Sequence, residues 1–366
     1  MNVAVLGIRV PTPDLDSGSF RMQRILRVMV ECGYRVWFVP CAPFHTEPYG
    51  SRLQADEHRL REEGIAVTHL QTDHGQLPSG LPDDLSLVVL SDEWVASRYM
   101  GQVRDRFPKA RCVFDTVDLH HIRLYREALE TRNRKLVALA VGSRRRELEA
   151  VREADITLVV SAEEARILEQ SLPAADIRVL SNIHSVTDRT TPSFEDRNGL
   201  LFVGSFDHSP NVDAVRVLTT EIFPACIPGL DNPELTIVGA NPPSFITELA
   251  LPGLRIAGHV PDLAPYYDRA RLSLAPLRFG AGVKGKVLDS MANGLPVVGT
   301  PVAAEGTGVR HNVHMVIAEP GESHVSAILE LHRDANRWDQ IRDAGLTLVR
   351  ENFSVEAARR VVQSLV

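Results

Sequence analysis

The sequence predicts an α/β protein built from two doubly wound, parallel-sheet domains in tandem, and three observations carry that reading. Short apolar runs of strand length alternate with longer amphipathic runs of helix length along nearly the whole chain. The alternation stops at a polar stretch, Ser185 to Asn198, and restarts at Leu200. Late in the second half, a glycine-rich loop bearing Arg278, Lys284 and Lys286 opens a short apolar helix, a form suited to holding an anion.

The first domain opens with a buried strand, Val3 to Leu6, ending at Gly7. A polar loop with Ser17, Gly18 and Ser19 follows, then a helix from about Phe20 to Glu31 and a second strand, Val36 to Val39. Strand, loop, helix and strand make a βαβ unit, and the loop lies at the carboxyl end of the first strand, where such sheets bind ligands. Arg52 to Glu63 reads as helix, Ile65 to Val67 and Leu87 to Leu90 as strands, and Val95 to Arg106 as helix. Cys112 to Phe114 is a strand that empties into Asp115, Asp118, His120, His121 and Arg123, again on the ligand side. His120 and His121 are sequence neighbours that do not readily face one metal, so no metal site is expected. One long charged helix is expected from about Leu124 to Glu153, then strand Ile156 to Val160, helix Ala162 to Gln170 capped by Ser161, and strand Ile177 to Leu180.

The second domain repeats the pattern with strand Leu200 to Val203, a loop through Gly204, Ser205 and His208, and helix Val212 to Phe223. Strands Leu235 to Val238, Leu254 to Ala257 and Leu272 to Ala275 are separated by helices near Phe245 to Leu249 and Leu263 to Ala270. After the glycine-rich loop and its helix come a strand at Pro296 to Val298, a short strand at Met315 to Ile317, and helices at about His324 to His332, Arg337 to Glu351 and Val355 to Leu365. The boundaries read from this are an N-terminal domain at 1–185, a linker at 186–198, a C-terminal domain at 199–352 and a terminal helix at 353–366 expected to pack back across the junction. Two such domains facing each other would leave a cleft between their ligand-binding edges.

At 366 residues the chain has room for two separate cores, and 44% hydrophobic with 24% charged residues is the balance of a globular protein. A net charge of -7 argues against general attraction to nucleic acid, so any basic site must be local. Cys32, Cys41, Cys112 and Cys226 form no Cys-x-x-Cys pair and read as free thiols of a reducing compartment. The chain enters a strand directly from Met1, and no apolar run approaches membrane-spanning length, so a cytoplasmic protein is expected.

Gly280, Gly282 and Gly285 let backbone approach a ligand closely, and the start of the helix after them offers unpaired N–H groups. With Lys284, Lys286 and Arg278 added, the place suits a phosphate or diphosphate. Taken with Phe202-Val203-Gly204, Pro210-Asn211-Val212-Asp213, Ile237-Val238-Gly239, Ile256-Ala257-Gly258-His259-Val260, Ala275-Pro276-Leu277-Arg278, Lys286 to Val298 and Asn352-Phe353-Ser354, the second half resembles the donor-binding domain of family 4 glycosyltransferases. In the first half the match is mainly architectural, with Val160-Ser161 and Ser181-Asn182.

The resemblance implies the GT-B fold of two facing Rossmann-like domains, and retaining, metal-independent sugar transfer from a nucleotide-diphosphate donor without a bound cofactor. Asp289 takes the position of the family's ribose-binding Glu, and Gly258, His259 and Val260 that of the backbone reading the nucleobase. The family's sugar-contacting Glu falls at Ala281 and its Arg/Lys pair at Ser205 and Pro210, so both are absent. Lys284, Lys286 and Arg278, with Gly282, Gly285 and Gly18, are the candidates for holding the diphosphate, and Lys284 and Lys286, with Arg278, for replacing the lost cations. Asp118 and His120 are candidates beside the donor sugar and acceptor, with Ser17, Gly204, Ser205, His208 and His121 as further cleft residues.

A sugar-nucleotide 2-epimerase of similar fold, or a non-catalytic subunit binding glycan or nucleotide, stands as the alternative. The expected partners are a nucleotide-sugar donor and a sugar, lipid-linked glycan or small-molecule acceptor, in glycan or natural-product biosynthesis. Nucleobase, sugar, acceptor and homodimer formation stay open, as does peripheral membrane contact through the basic stretch Arg132 to Arg146.

Overall fold

The wholly apolar run Val3 to Leu6 can be buried on both faces only inside a sheet covered by helices on each side, and it is fully buried there. The computed structural model describes residues 1–13, 17–42, 53–70, 75–187, 190–206, 208–280 and 282–366; Asp14 to Asp16, Arg52, Asp188, Arg189, Asp207 and Ala281 lie outside them. The chain divides into two compact units, residues 1–183 with 355–366 and residues 184–354.

In the first unit the elements run β1 (Asn2–Gly7), α1 (Ser17–Glu31), β2 (Arg35–Pro40), α2 (Leu53–Glu62), β3 (Ile65–Val67), β4 (Leu85–Ser91), α3 (Glu93–Arg106), β5 (Arg111–Asp115), α4 (His120–Thr131), α5 (Arg134–Glu153), β6 (Ile156–Val159), α6 (Ala162–Ser171) and β7 (Ile177–Val179). The strands form one parallel sheet in the order β3-β2-β1-β4-β5-β6-β7. Val5 pairs with Phe38 on one side and Val89 on the other, so strand order reverses beside β1, the switch point at which open α/β sheets bind ligands.

The second unit runs β8 (Leu200–Val203), α7 (Ser209–Val217), α8 (Phe223–Cys226), β9 (Leu235–Val238), α9 (Ser244–Thr247), β10 (Leu254–Gly258), α10 (Ala264–Arg269), β11 (Leu272–Ala275), α11 (Gly285–Ala292), β12 (Val297–Gly299), α12 (Pro301–Ala304), β13 (Val316–Ile317), α13 (Glu322–Arg333) and α14 (Ala335–Asn352). Its parallel sheet has the order β10-β9-β8-β11-β12-β13, with the switch point between β8 and β11. The last helix, α15 (Val355–Ser364), belongs to the first unit, where Ala358, Val362 and Leu365 join the apolar cluster of Leu26 and Met29. Cys41, Cys112 and Cys226 are buried free thiols and Cys32 is a half-buried one. Among the described residues no helix is long and apolar enough to cross a membrane.

The structure corrects several expected elements. The long helix from Leu124 to Glu153 is two helices, because Arg132 turns left-handed at φ 53° and Asn133 caps the second by accepting from the Lys135 N–H at 3.0 Å. The helix expected at Val212 to Phe223 begins at Ser209 and widens into a π turn over Leu218–Ile222, just before Pro224, which has no N–H to continue the ladder. Helix α1 starts at Ser17, so Gly18 and Ser19 lie in its first turn rather than in the preceding loop. Helix α12, not foreseen, is capped by the Thr300 hydroxyl accepting from the Ala303 N–H.

Asp115 does not face the loop that follows it. Its carboxylate, 1% exposed, takes both terminal nitrogens of Arg21 from α1 at 3.0 and 2.8 Å and the Ser91 hydroxyl from β4 at 2.9 Å. Arg21 also donates to the Leu180 carbonyl after β7 at 3.1 and 2.7 Å. One buried pair thus ties the carboxyl ends of β4, β5 and β7 to α1. Breaking such a pair strands a buried charge, so Asp115→Ala is expected to cost about 3–5 kcal/mol in urea unfolding, with Arg21→Met added to Asp115→Leu recovering most of it. A loss under about 1 kcal/mol would show that the pair is not shielded from water.

Candidate functional site

In the second unit the loop after β8 and the N-terminus of α11 meet at the switch point. Asn211, in the first turn of α7, is held by donating its amide N–H to the Ser205 carbonyl at 2.6 Å, and its amide oxygen accepts from the Lys286 ammonium. That ammonium also lies over the Phe202 ring, 4.5 Å from its centre. Burial, reinforced by the charge of Lys284, pushes the Lys286 pKa down to about 7.

Gly204 makes this placement possible: a Cβ there would stand 2.6 Å from the Lys286 nitrogen and 2.8 Å from the Asn211 amide. Behind it, a Cβ on Gly239 would fall 2.0 Å from the Gly204 carbonyl oxygen. The two glycines therefore let three layers of backbone and side chain nest where any other residue would push them apart.

Lys284 precedes α11 and donates to the Gly282 carbonyl at 2.6 Å. Its nitrogen and the Pro210 ring both lie about 4 Å from the point where a Gly280 Cβ would be (4.0 and 3.9 Å). Gly285 opens α11, where the Val287 N–H bonds back to the Lys284 carbonyl at 3.0 Å and the N–H groups of Gly285 and Lys286 precede the first helical bond. Arg278, exposed, makes a two-pronged pair with Asp213, with Nε at 2.7 Å from Oδ2, so its charge is already answered at the surface. His208 is exposed at the start of α7.

Asp289 lies one turn beyond Lys286 on α11. Its Oδ1 meets Nδ1 of the buried His184 at 2.6 Å, while the carboxylate itself is 47% exposed. The backbone N–H of His184 is in turn fixed on the Phe353 carbonyl at 2.7 Å. One strand further out, Gly258 has φ 66°, and its carbonyl accepts from the Gly239 N–H at 2.9 Å. His259 is exposed, and Val260 packs against the cluster of Leu201 and Tyr267.

In the first unit, Asp118 and His120 form one polar cluster with two residues that follow β4. His120 Nε2 stands 2.7 Å from Asp118 and 3.5 Å from Asp92, and its Nδ1 lies 3.8 Å from Glu93. Arg123 donates to Asp118 at 2.9 Å and Arg146 to Glu93 at 2.9 Å. Burial pulls the imidazole pKa down, but its bonds to Asp118 and Glu93 and the charges of Asp118 and Asp92 outweigh this and push it up to about 10. Nearby Glu164 is pushed up to about 7, chiefly by burial and also by the charge of Asp118. Two residues of this cluster's loops, Asp92 at φ 89° and Val117 at φ 64°, hold left-handed backbone without being glycine, and Val117 is β-branched. Such strain persists only where the surroundings fix it, and it gathers at functional sites. His121 turns away into the helix pair, where its Nδ1 meets the buried Glu147 of α5. Gly18 sits at the start of α1, whose opening Ser17 is described by its backbone alone.

A family model described as Glycosyl transferases group 1 matches residues 197–334. Over its full length the chain superimposes on sucrose-phosphate synthase from Thermosynechococcus elongatus, at TM-score 0.68, 17% identity and 98% coverage of that chain. It likewise superimposes on HepE of Anabaena in complex with UDP, at TM-score 0.70, 14% identity and 99% coverage of that chain. The fold is GT-B. A protein of the cps region of Klebsiella pneumoniae, 44.6 kDa and uncharacterized, is 27% identical over 164 residues. The match covers 42% of this chain and 42% of that protein, so it spans under half the length of that relative. Of these likenesses, the family model supports a glycosyltransferase domain at residues 197–334, and the solved structures support the fold.

Against this GT-B frame, the sequence reading missed Asn211 as the partner of Lys286, His184 behind Asp289, and Asp92 with Glu93 beside His120. Pro210-Asn211 was visible as a motif, but the other contacts join residues far apart in sequence and carry no local signal. For His120, a folded-state pKa above the usual value means stability that is complete below about pH 6.5 and lost as pH rises toward about 10. The melting-temperature gap between wild type and His120→Gln should therefore be widest near about pH 6 and close toward about pH 10. A gap constant across that range would show that the imidazole gains no proton on folding.

Proposed function

We propose that the protein is a retaining, metal-independent glycosyltransferase that moves a sugar from a nucleotide-diphosphate donor to an acceptor hydroxyl. The observation that carries this is Lys286: a buried ammonium at the switch point, with one neutral amide partner among the described residues and a second lysine beside it. Such a cation is under-compensated, and a diphosphate supplies the missing negative charge. The free N–H groups of α11 and the flanking glycines add to the same cradle, and Asp289, steadied by His184, accepts from ribose hydroxyls.

In the proposed step the bond between the sugar's anomeric carbon and the β-phosphate oxygen breaks, and its electron pair stays on that oxygen. The acceptor oxygen bonds to the same face of the anomeric carbon and passes its proton to the departing phosphate. Lys286 and Lys284 stabilise the charge that develops there, being fixed before the reaction begins. His120, protonated and held by carboxylates, can donate to a sugar hydroxyl, and Asp118 can accept from one.

A thermal-shift panel of UDP, GDP, dTDP, ADP and CMP should show one diphosphate raising the melting temperature, with the rise lost in Lys286→Ala. UDP is the first candidate, since HepE was solved with it. The sugar conjugate of that base should then support transfer, with the anomeric configuration of the product read by NMR. Absence of any shift, together with silent calorimetry, would remove the donor site and the reading with it.

Protons give a second check. Lys286 is mostly neutral at about pH 8, and a bound diphosphate favours its charged form, so binding should take up about one proton. Calorimetry in two buffers of unlike ionisation enthalpy should give different heats for wild type and matching heats for Lys286→Arg, whose guanidinium is charged before and after binding. Matching heats for wild type would mean that the ammonium is charged before the ligand arrives.

A further inference from the structure

Ten large apolar side chains are exposed among the described residues, and five of them lie on one helical hairpin of the first unit: Tyr125, Leu129, Val137, Leu139 and Val141. Helices α4 and α5 pack against each other and are joined by the tight turn at Arg132 and Asn133. Toward the turn the hairpin departs from the usual surface helix, which buries its larger apolar residues and shows polar ones. The described buried positions from Ala128 to Glu147 are small or polar (Ala128, Ala140, Ser143 and Glu147), and the apolar Val151 is buried at the far end of α5, while Leu129 is 63% and Val141 67% exposed. Tyr125 with Leu129, and Val137 with Val141, are each four residues apart and so share a helix face.

The charge on this hairpin runs against that of the molecule. Between Arg126 and Arg145 there are six cations, Arg126, Arg132, Arg134, Lys135, Arg144 and Arg145, against Glu127 and Glu130, in a chain of net charge -7. All six cations are exposed. A polyanion such as nucleic acid would use the charge but leave the leucines and valines in water. A twofold pairing of the hairpin with its own copy would bury them but set cations against cations. An anionic lipid surface takes both, with the cations at the headgroups and the apolar side chains at the acyl boundary.

We propose that the α4–α5 hairpin is a docking surface for an anionic membrane. The proposal does not depend on what the second unit binds. Its test is flotation of the full chain with vesicles of phosphatidylcholine alone and of an equal mixture with phosphatidylglycerol. Two variants accompany it: Arg132→Glu/Arg134→Glu/Lys135→Glu, and Leu129→Asp/Val137→Asp/Val141→Asp, each checked for an unchanged melting temperature. Wild type should float with the mixed vesicles and not with phosphatidylcholine, less so at high salt, and the charge variant should bind roughly a hundredfold more weakly. The apolar variant should also lose binding, which separates insertion at the interface from charge attraction alone. Wild type left in solution with mixed vesicles would overturn the proposal, as would binding that both variants retain. So would a dimer of the wild type, seen without lipid and abolished by the apolar variant, because the hairpin would then be covered by a second copy.

Discussion

A lysine pressed against the face of Phe202, with the Asn211 amide oxygen as its named polar partner, sets the terms for the second unit. Burying an ammonium is costly unless an opposite charge accompanies it, and what the described residues provide is a neutral oxygen and a ring face. The strained economy of that position is supported from behind by local structure. Gly204 leaves room for the ammonium, Gly239 leaves room for the carbonyl of Gly204, and Asn211 is itself fixed on the Ser205 carbonyl. Such a group gains from an incoming anion more than a surface lysine would, because it has little water to give up.

The two units use the same topological position in opposite ways. In the first, the cation that reaches the carboxyl ends of the strands is Arg21, and Asp115 neutralises it completely, with Ser91 and the Leu180 carbonyl filling the remaining bonds. Nothing in that pair calls for a ligand. The polar groups that remain beyond it lean toward acceptors, with Asp92, Glu93, Asp118 and Glu164 set around His120, Arg123 and Arg146. Such a set suits hydroxyl groups better than phosphates, since an anion would meet carboxylates on most sides. In the second unit the balance is reversed, with lysines and helix N–H groups but, among the described residues, no carboxylate against Lys286. Under the proposed function, charge placement within each unit alone would divide them into a hydroxyl-facing and a phosphate-facing one.

How far this was legible in the sequence depends on the range over which each feature is decided. The alternation of strands and helices, both parallel sheets and the glycine-rich anion loop are written in local periodicity and composition, and they could be read directly. The break at Arg132 and Asn133 was also local, yet it lay inside a run of strong helix formers that hid a two-residue interruption. The fate of Asp115 could not be read, since its partner is 94 residues away. His184 and Asp289 are 105 residues apart and posed the same difficulty. Left-handed backbone at Val117 went further against expectation, because nothing about a valine announces a conformation that its own side chain opposes.

The placement of the lysines bears on the two positions where the sequence departs from the pattern it resembles. The expected cations fall at Ser205 and Pro210, in the loop after β8, where neither residue carries charge. The structure brings Lys286 from α11 to that same loop, against Gly204 and Asn211, and brings Lys284 to the side of Gly280 that Pro210 also occupies. Charge lost from one wall of the cradle is thus present from the opposite wall, near the same backbone. The exchange has a structural consequence. A lysine reaching across from α11 must pass over residue 204, so the glycine there is tied to the lysine, and a side chain at 204 would be tolerable only if the cation came from the β8 loop instead. Gly204 and Lys286 are in that sense one feature, a cation and the space it needs, and substitutions at either should be read together.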